Sequence, residues 1–174
     1  METKLTHFHW LLYTDRLSNQ KPYTGVCELW NYITGSNMLA LERSHRFCVK
    51  FSQKLPPSAK NDISLFSLGV CSIESVIDYK KLQLLGQLCR LPCYYLAKKI
   101  FVYRLIHYSG GTGRQSLGFR PDMYRLLTKY NLSHFISEFI ENGCFLTKNA
   151  WNTVLNRQLF LQDYWQMVKL IALR

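Results

Sequence analysis

The chain has 174 residues, 48% of them hydrophobic, and its 22 lysines and arginines outnumber 11 acids to leave a formal net charge of +11. A chain of this length buries roughly 70% of its unfolded surface, and 19% charged residues without a low-complexity tract exclude wholesale disorder. The positive surplus points to a polyanionic partner, nucleic acid before an anionic membrane surface, with a merely solvated surface as the bland alternative.

Residues 1–22 read as an N-terminal tail or linker. Glu2, Lys4, His7, His9, Asp15 and Arg16 interrupt any signal-peptide core, and Ser18-Asn19-Gln20-Lys21-Pro22 is a polar breaker run. No window approaches 18 uncharged apolar residues, so no membrane span is expected. Cys27, Cys48, Cys71, Cys89, Cys93 and Cys144 lie among apolar neighbours, a pattern expected of reduced core thiols in an intracellular protein, cytoplasmic or nuclear.

Residues 23–174 read as one helical region, with a sub-boundary at the loop 109–119. Only Val26 to Ile33 shows β-alternation, which admits a short strand near Trp30. From Ser36, the spacing of Met38, Leu41, His45, Cys48 and Phe51 predicts a helix closed by Pro56-Pro57. Asn61-Asp62 is placed to cap a short helix stopped by Gly69. Ser72 opens a longer one with Ile73, Val76, Ile77, Leu84, Leu85 and Leu88 as its buried stripe, ended by Pro92. Tyr94 to Tyr108 is again helical, with Ala97, Ile100, Phe101, Leu105 and Tyr108 spaced for packing, and Gly110 to Gly113 stops it. Pro121 suits the first turn of the next helix. Ser133 and Thr147 are expected caps of the last two, the final stripe being Trp151, Val154, Leu155, Leu159 and Met167-Val168. The expected fold is all-α, an irregular bundle of about six to seven helices.

No catalytic constellation is read. Metal-assisted phosphoryl chemistry needs clustered carboxylates, whereas Asp15, Asp62, Asp78, Asp122 and Asp163 are dispersed. Glu74 and Asp78 share a helical face, but Lys81 three residues beyond favours surface ion pairing. Gly110-Gly111-Thr112-Gly113-Arg114 lacks the Gly-Lys-Ser/Thr ending of a phosphate loop and follows a helix, so a turn is the simpler reading. Cys89, Cys93, His107 and Cys144 fit no common zinc spacing. No metal, cofactor or catalytic residue is assigned, and His45 is read as a packing or surface histidine.

The basic charge is concentrated. Between Cys89 and Tyr130 stand eight basic residues, Arg90, Lys98, Lys99, Arg104, Arg114, Arg120, Arg125 and Lys129, against the single acid Asp122. Tyr94, Tyr95, Phe101, Tyr103, Tyr108, Phe119 and Tyr124 are interleaved, and cations beside stacking rings suit a surface that tracks a nucleic-acid backbone. The candidate contacts are Lys98, Lys99, Tyr103, Arg104, Arg114, Arg120, Arg125 and Lys129.

Three ordered blocks carry a family resemblance. They are Tyr23-Thr24-Gly25-Val26-Cys27-Glu28-Leu29-Trp30, then Leu41-Glu42-Arg43-Ser44-His45-Arg46-Phe47-Cys48-Val49-Lys50, then Leu68-Gly69 through Ile73-Glu74, Ile77-Asp78, Lys80-Lys81-Leu82 and Gly86-Gln87-Leu88-Cys89-Arg90-Leu91 to Phe101-Val102-Tyr103-Arg104-Leu105. They resemble the region following the palm in reverse transcriptases of non-LTR, LINE-type retrotransposons, best over about residues 23–108 and more faintly to 174. The resemblance implies thumb and linker helices that help to hold a template–primer duplex. The first block has extra residues before Glu28, and the palm's Phe/Tyr-x-Asp-Asp motif is absent, as is a downstream Cys/His knuckle. The resemblance therefore implies a non-catalytic fragment with residual affinity for RNA or DNA. The rival expectations are a helical protein–protein interaction module using exposed Trp10, Trp151 and Trp165, and a retroelement remnant with no selected function.

Overall fold

The computed structural model describes residues 33–106 and 119–172, and these are all-α. Seven helices occur among them: α1 (Gly35–Ser52), α2 (Asn61–Ser67), α3 (Ile73–Arg90), α4 (Leu96–Ile106), α5 (Phe119–Lys129), α6 (Ser133–Asn142) and α7 (Lys148–Ala172). The strand anticipated near Trp30, the tail 1–22, the glycine loop at 110–113, and Cys27, His107, Tyr108 and Arg114 lie outside the described residues. The described chain divides into two compact units, one of residues 33–77 and 163–172, the other of residues 78–106 and 119–162.

Local chemistry accounts for most helix ends. Thr34 caps α1, its hydroxyl accepting from the Asn37 N–H at 3.3 Å. The helix closes with Lys54 in the left-handed region (φ 54°), where the Leu55 N–H reaches the Lys50 carbonyl at 3.0 Å. The same six-to-one closure ends α2 at Gly69 (φ 58°), through Val70 N–H to Leu65 O, and α5 at Asn131 (φ 54°), through Leu132 N–H to Leu127 O. Asparagine tolerates that backbone because its short amide bonds locally, whereas Lys54 carries the usual Cβ penalty.

In the first unit, Ser72 caps α3 by accepting from the Ser75 N–H at 3.1 Å. Buried Glu42 on α1 takes a second free donor of that helix start, the Glu74 N–H, at 3.3 Å. A carboxylate there also meets the positive end of the helix dipole. His45 bonds the Cys71 carbonyl at 3.0 Å, which makes it a packing histidine. The α1 stripe differs from expectation. Its buried side runs through Glu42 and Val49, while Phe51 stands exposed and stacked near Phe47.

The second unit is built around α3 and the first part of α7. Trp151, Leu155 and Leu159 of α7 are fully buried, as are Leu82 and Leu85 of α3. The Trp151 indole N–H donates to the Leu82 carbonyl at 3.0 Å, and Phe135 and Phe145 meet the indole edge-on. Trp151 is therefore a core anchor and not the exposed docking residue expected from sequence. Gly86 is required beneath it, because a Cβ at that position would overlap the indole ring. Thr147 caps α7 as expected, accepting from the Ala150 N–H at 3.3 Å. Ser133 does not cap α6. Leu132 occupies that position, and Ser133 is already helical.

Candidate nucleic-acid interface

The basic segment lies on α4 and α5 of the second unit, and the fold sorts its cations into inward and outward groups. Inward on α4, the buried face is Lys98, Phe101 and Leu105. Ile100, expected to pack, is half exposed instead. Lys98 is only 6% exposed, its ammonium donating to the Cys89 carbonyl at the end of α3 at 2.5 Å and sitting 4.2 Å from the centre of the Phe139 ring. Burial lowers its pKa, which the neighbouring Cys89 and Cys93 thiols partly oppose. A lysine held there closes a helix C-terminus and has no reach to a phosphate. Lys98 is therefore removed from the phosphate-contact set.

Charges on α3 and α5 pair across the interior of this unit. Asp78 accepts from the Lys129 ammonium at 2.7 Å and from the Tyr130 hydroxyl at 2.9 Å. Lys81 donates to Asp122, which also takes the Arg125 guanidinium at 2.7 Å. Asp78, Lys81 and Asp122 are all nearly enclosed, so the surface pairing expected of Asp78 and Lys81 is replaced by buried pairing between helices. Lys129 is thus committed to Asp78, while Arg125 pairs with Asp122 yet keeps its side chain two-thirds exposed.

Arg120 also turns toward the protein. It donates to the Leu105 carbonyl at 2.8 Å and lies over the Tyr124 ring, 4.9 Å from its centre. Four helices, α3 to α6, surround an apolar cleft of about 180 Å³ beside it, into which both Arg120 and Arg104 face.

Outward on α4 are Lys99, Tyr103 and Arg104, with Leu96 and Ile100 at helical spacing on the same side. Tyr103 is 64% exposed, and Tyr94 and Tyr95 just before the helix are exposed with ring centres 4.5 Å apart. Of the eight residues expected from sequence, Lys99, Tyr103 and Arg104 are exposed on α4, Arg104 on the side that borders the cleft. Arg125 is exposed on α5, Lys98, Arg120 and Lys129 are engaged internally, and Arg114 lies outside the described residues.

No protein-family model matches the chain, no curated protein matches it, and no solved structure matches it.

Thiol placement also departs from expectation. Of the described cysteines, Cys71 and Cys89 are buried, while Cys48, Cys93 and Cys144 are exposed. Burial pushes the Cys89 thiol up to about 12, against the opposing influence of Lys98 and Arg90. Among the described residues no group of three or more His, Cys, Asp or Glu is placed to hold a metal ion. No helix of the described residues is long and apolar enough to cross a membrane.

The sequence reading missed the cleft and the buried charge network. One signal for the network was present: Asp122 is the lone acid in a strongly basic segment, and a lone acid there is a natural partner for inward-turned cations.

Proposed function

We propose that the chain is a non-catalytic, thumb- and linker-like fragment related to LINE-type reverse transcriptases, and that it binds RNA or DNA through the outward face of α4. The observation that carries this reading is the exposure of Lys99, Tyr103 and Arg104 on α4, with Tyr94 and Tyr95 exposed just before the helix. Cations track phosphates without regard to sequence, and tyrosine rings stack on bases that leave the helix. Pairing with Asp122 and Asp78 engages Lys81 and Lys129, whereas Lys99 and Arg104 of α4 are exposed, as are Arg125, Lys148 and Arg157. Family origin is supported by the three ordered sequence blocks, within which Gly86 and the α3 charges Asp78 and Lys81 have specific packing roles.

Titration of the chain into labelled RNA and DNA duplexes at about 50 mM salt, where phosphate contacts are strongest, tests the reading. Saturable binding of either duplex is expected, and absence of binding to both overturns it. A second reading, a helical module for protein partners, is favoured by Trp165 of α7, which is 58% exposed beside exposed Tyr164. Under that reading Trp165→Ala abolishes partner capture, while Lys99→Ala does not. The third reading, a remnant with no selected function, predicts a poorly cooperative thermal melt.

A further inference from the structure

The cleft among α3, α4, α5 and α6 is open to solvent on one side and holds about 180 Å³. Its walls include Leu85, Phe101, Leu127 and Ile136, and half-exposed Ile100 stands on its open side. A dry apolar cavity of roughly 150 Å³ accepts a benzene ring, so the space suits one ring or a branched aliphatic group of similar bulk.

Two guanidinium groups break the apolar lining. Arg120 is held in place by the Leu105 carbonyl and the Tyr124 ring. Arg104 is exposed and makes no hydrogen bond or ion pair with another described residue. Arginine presents a planar fork of donors matched to a carboxylate. We propose that this cleft is a binding site for a small organic carboxylate, its single aromatic or branched aliphatic body seated against Leu85, Phe101 and Leu127 and its carboxylate paired with Arg104. Arg104 is shared with the proposed nucleic-acid face, whereas the apolar walls are not, so the acid titration and the duplex titration are read separately.

The test is a titration of the isotope-labelled chain with phenylpropionate and with its uncharged amide, followed by amide chemical shifts. Saturable shifts in α4 and α5 are expected with the acid, in about the millimolar range for so small a ligand. The amide is expected to bind about ten-fold more weakly, the worth of one charge-assisted hydrogen bond. Arg104→Gln, at an exposed position, brings acid and amide to equal affinity. Ile100→Trp, at the open side, blocks both. The proposal is overturned by absence of saturable shifts at about 10 mM acid, well above that range, by equal affinities of acid and amide for the unaltered chain, or by binding that survives Ile100→Trp.

Discussion

The Lys98 ammonium lies 2.5 Å from the Cys89 carbonyl, so α4 reaches back to close the C-terminal end of α3. Its neighbour Lys99, about 100° further round the helix, is exposed. Adjacent lysines thus have unrelated roles. Lys98→Met is expected to lower stability by about 2 kcal/mol, from loss of a charge-assisted bond at a helix end, and to leave duplex affinity intact. Lys99→Met is expected to do the reverse, changing stability by less than about 0.5 kcal/mol. Urea unfolding beside a binding titration separates the two.

Asp78 and Lys81 of α3 bind Lys129 and Asp122 of α5, a reciprocal exchange that fixes which faces of the two helices meet. Removing one partner strands a buried charge. Asp78→Ala leaves both Lys129 and Tyr130 without their carboxylate and is expected to cost about 3 kcal/mol in urea unfolding. Lys81→Met is expected to cost less, because Asp122 keeps Arg125.

Gly86 admits Trp151 against the α3 backbone. Gly86→Ala normally gains helix propensity, about 1 kcal/mol in an open helix. Here the added methyl meets the indole, and the expected result is a net loss of about 2 kcal/mol. Thermal melting of this variant against Gly35→Ala, which has open space around its Cβ position, isolates the steric effect.

Cys89 is pushed up to about 12 by burial. A thiol with a raised folded pKa binds its proton more tightly when folded, so its contribution to stability is present below its ordinary value near 9 and is lost as pH rises toward 12. Its contribution falls by at most about 1.4 kcal/mol per pH unit in that window. Alkylation near neutral pH is expected to mark Cys48, Cys93 and Cys144 and to spare Cys71 and Cys89. Mass mapping of the modified peptides checks the pattern.

Features written in neighbouring residues were legible in the sequence. Ser72, Thr147, Gly69 and Pro92 mark helix limits because caps and breakers act within a few residues. The side of each helix that faces inward was less legible. α4 is apolar around most of its circumference, so Ile100 and Phe101 were equal candidates for the core, and the burial of Lys98 depends on a carbonyl in another helix. Lys81 and Asp122 are 41 positions apart, beyond any periodicity argument. At the candidate interface the sequence located the basic segment, while tertiary pairing decided which of its cations face outward.

Nucleic-acid affinity is proposed to reside on the exposed cations of α4, Lys99 and Arg104. The most direct measurement is the salt dependence of duplex binding for the unaltered chain and for the Lys99→Ala/Arg104→Ala double variant. If these two cations contact phosphates as proposed, removing them reduces the slope of log affinity against log salt by about 2, with affinity falling at every sequence tested. An unchanged slope and affinity in a cooperatively folded double variant would contradict the account.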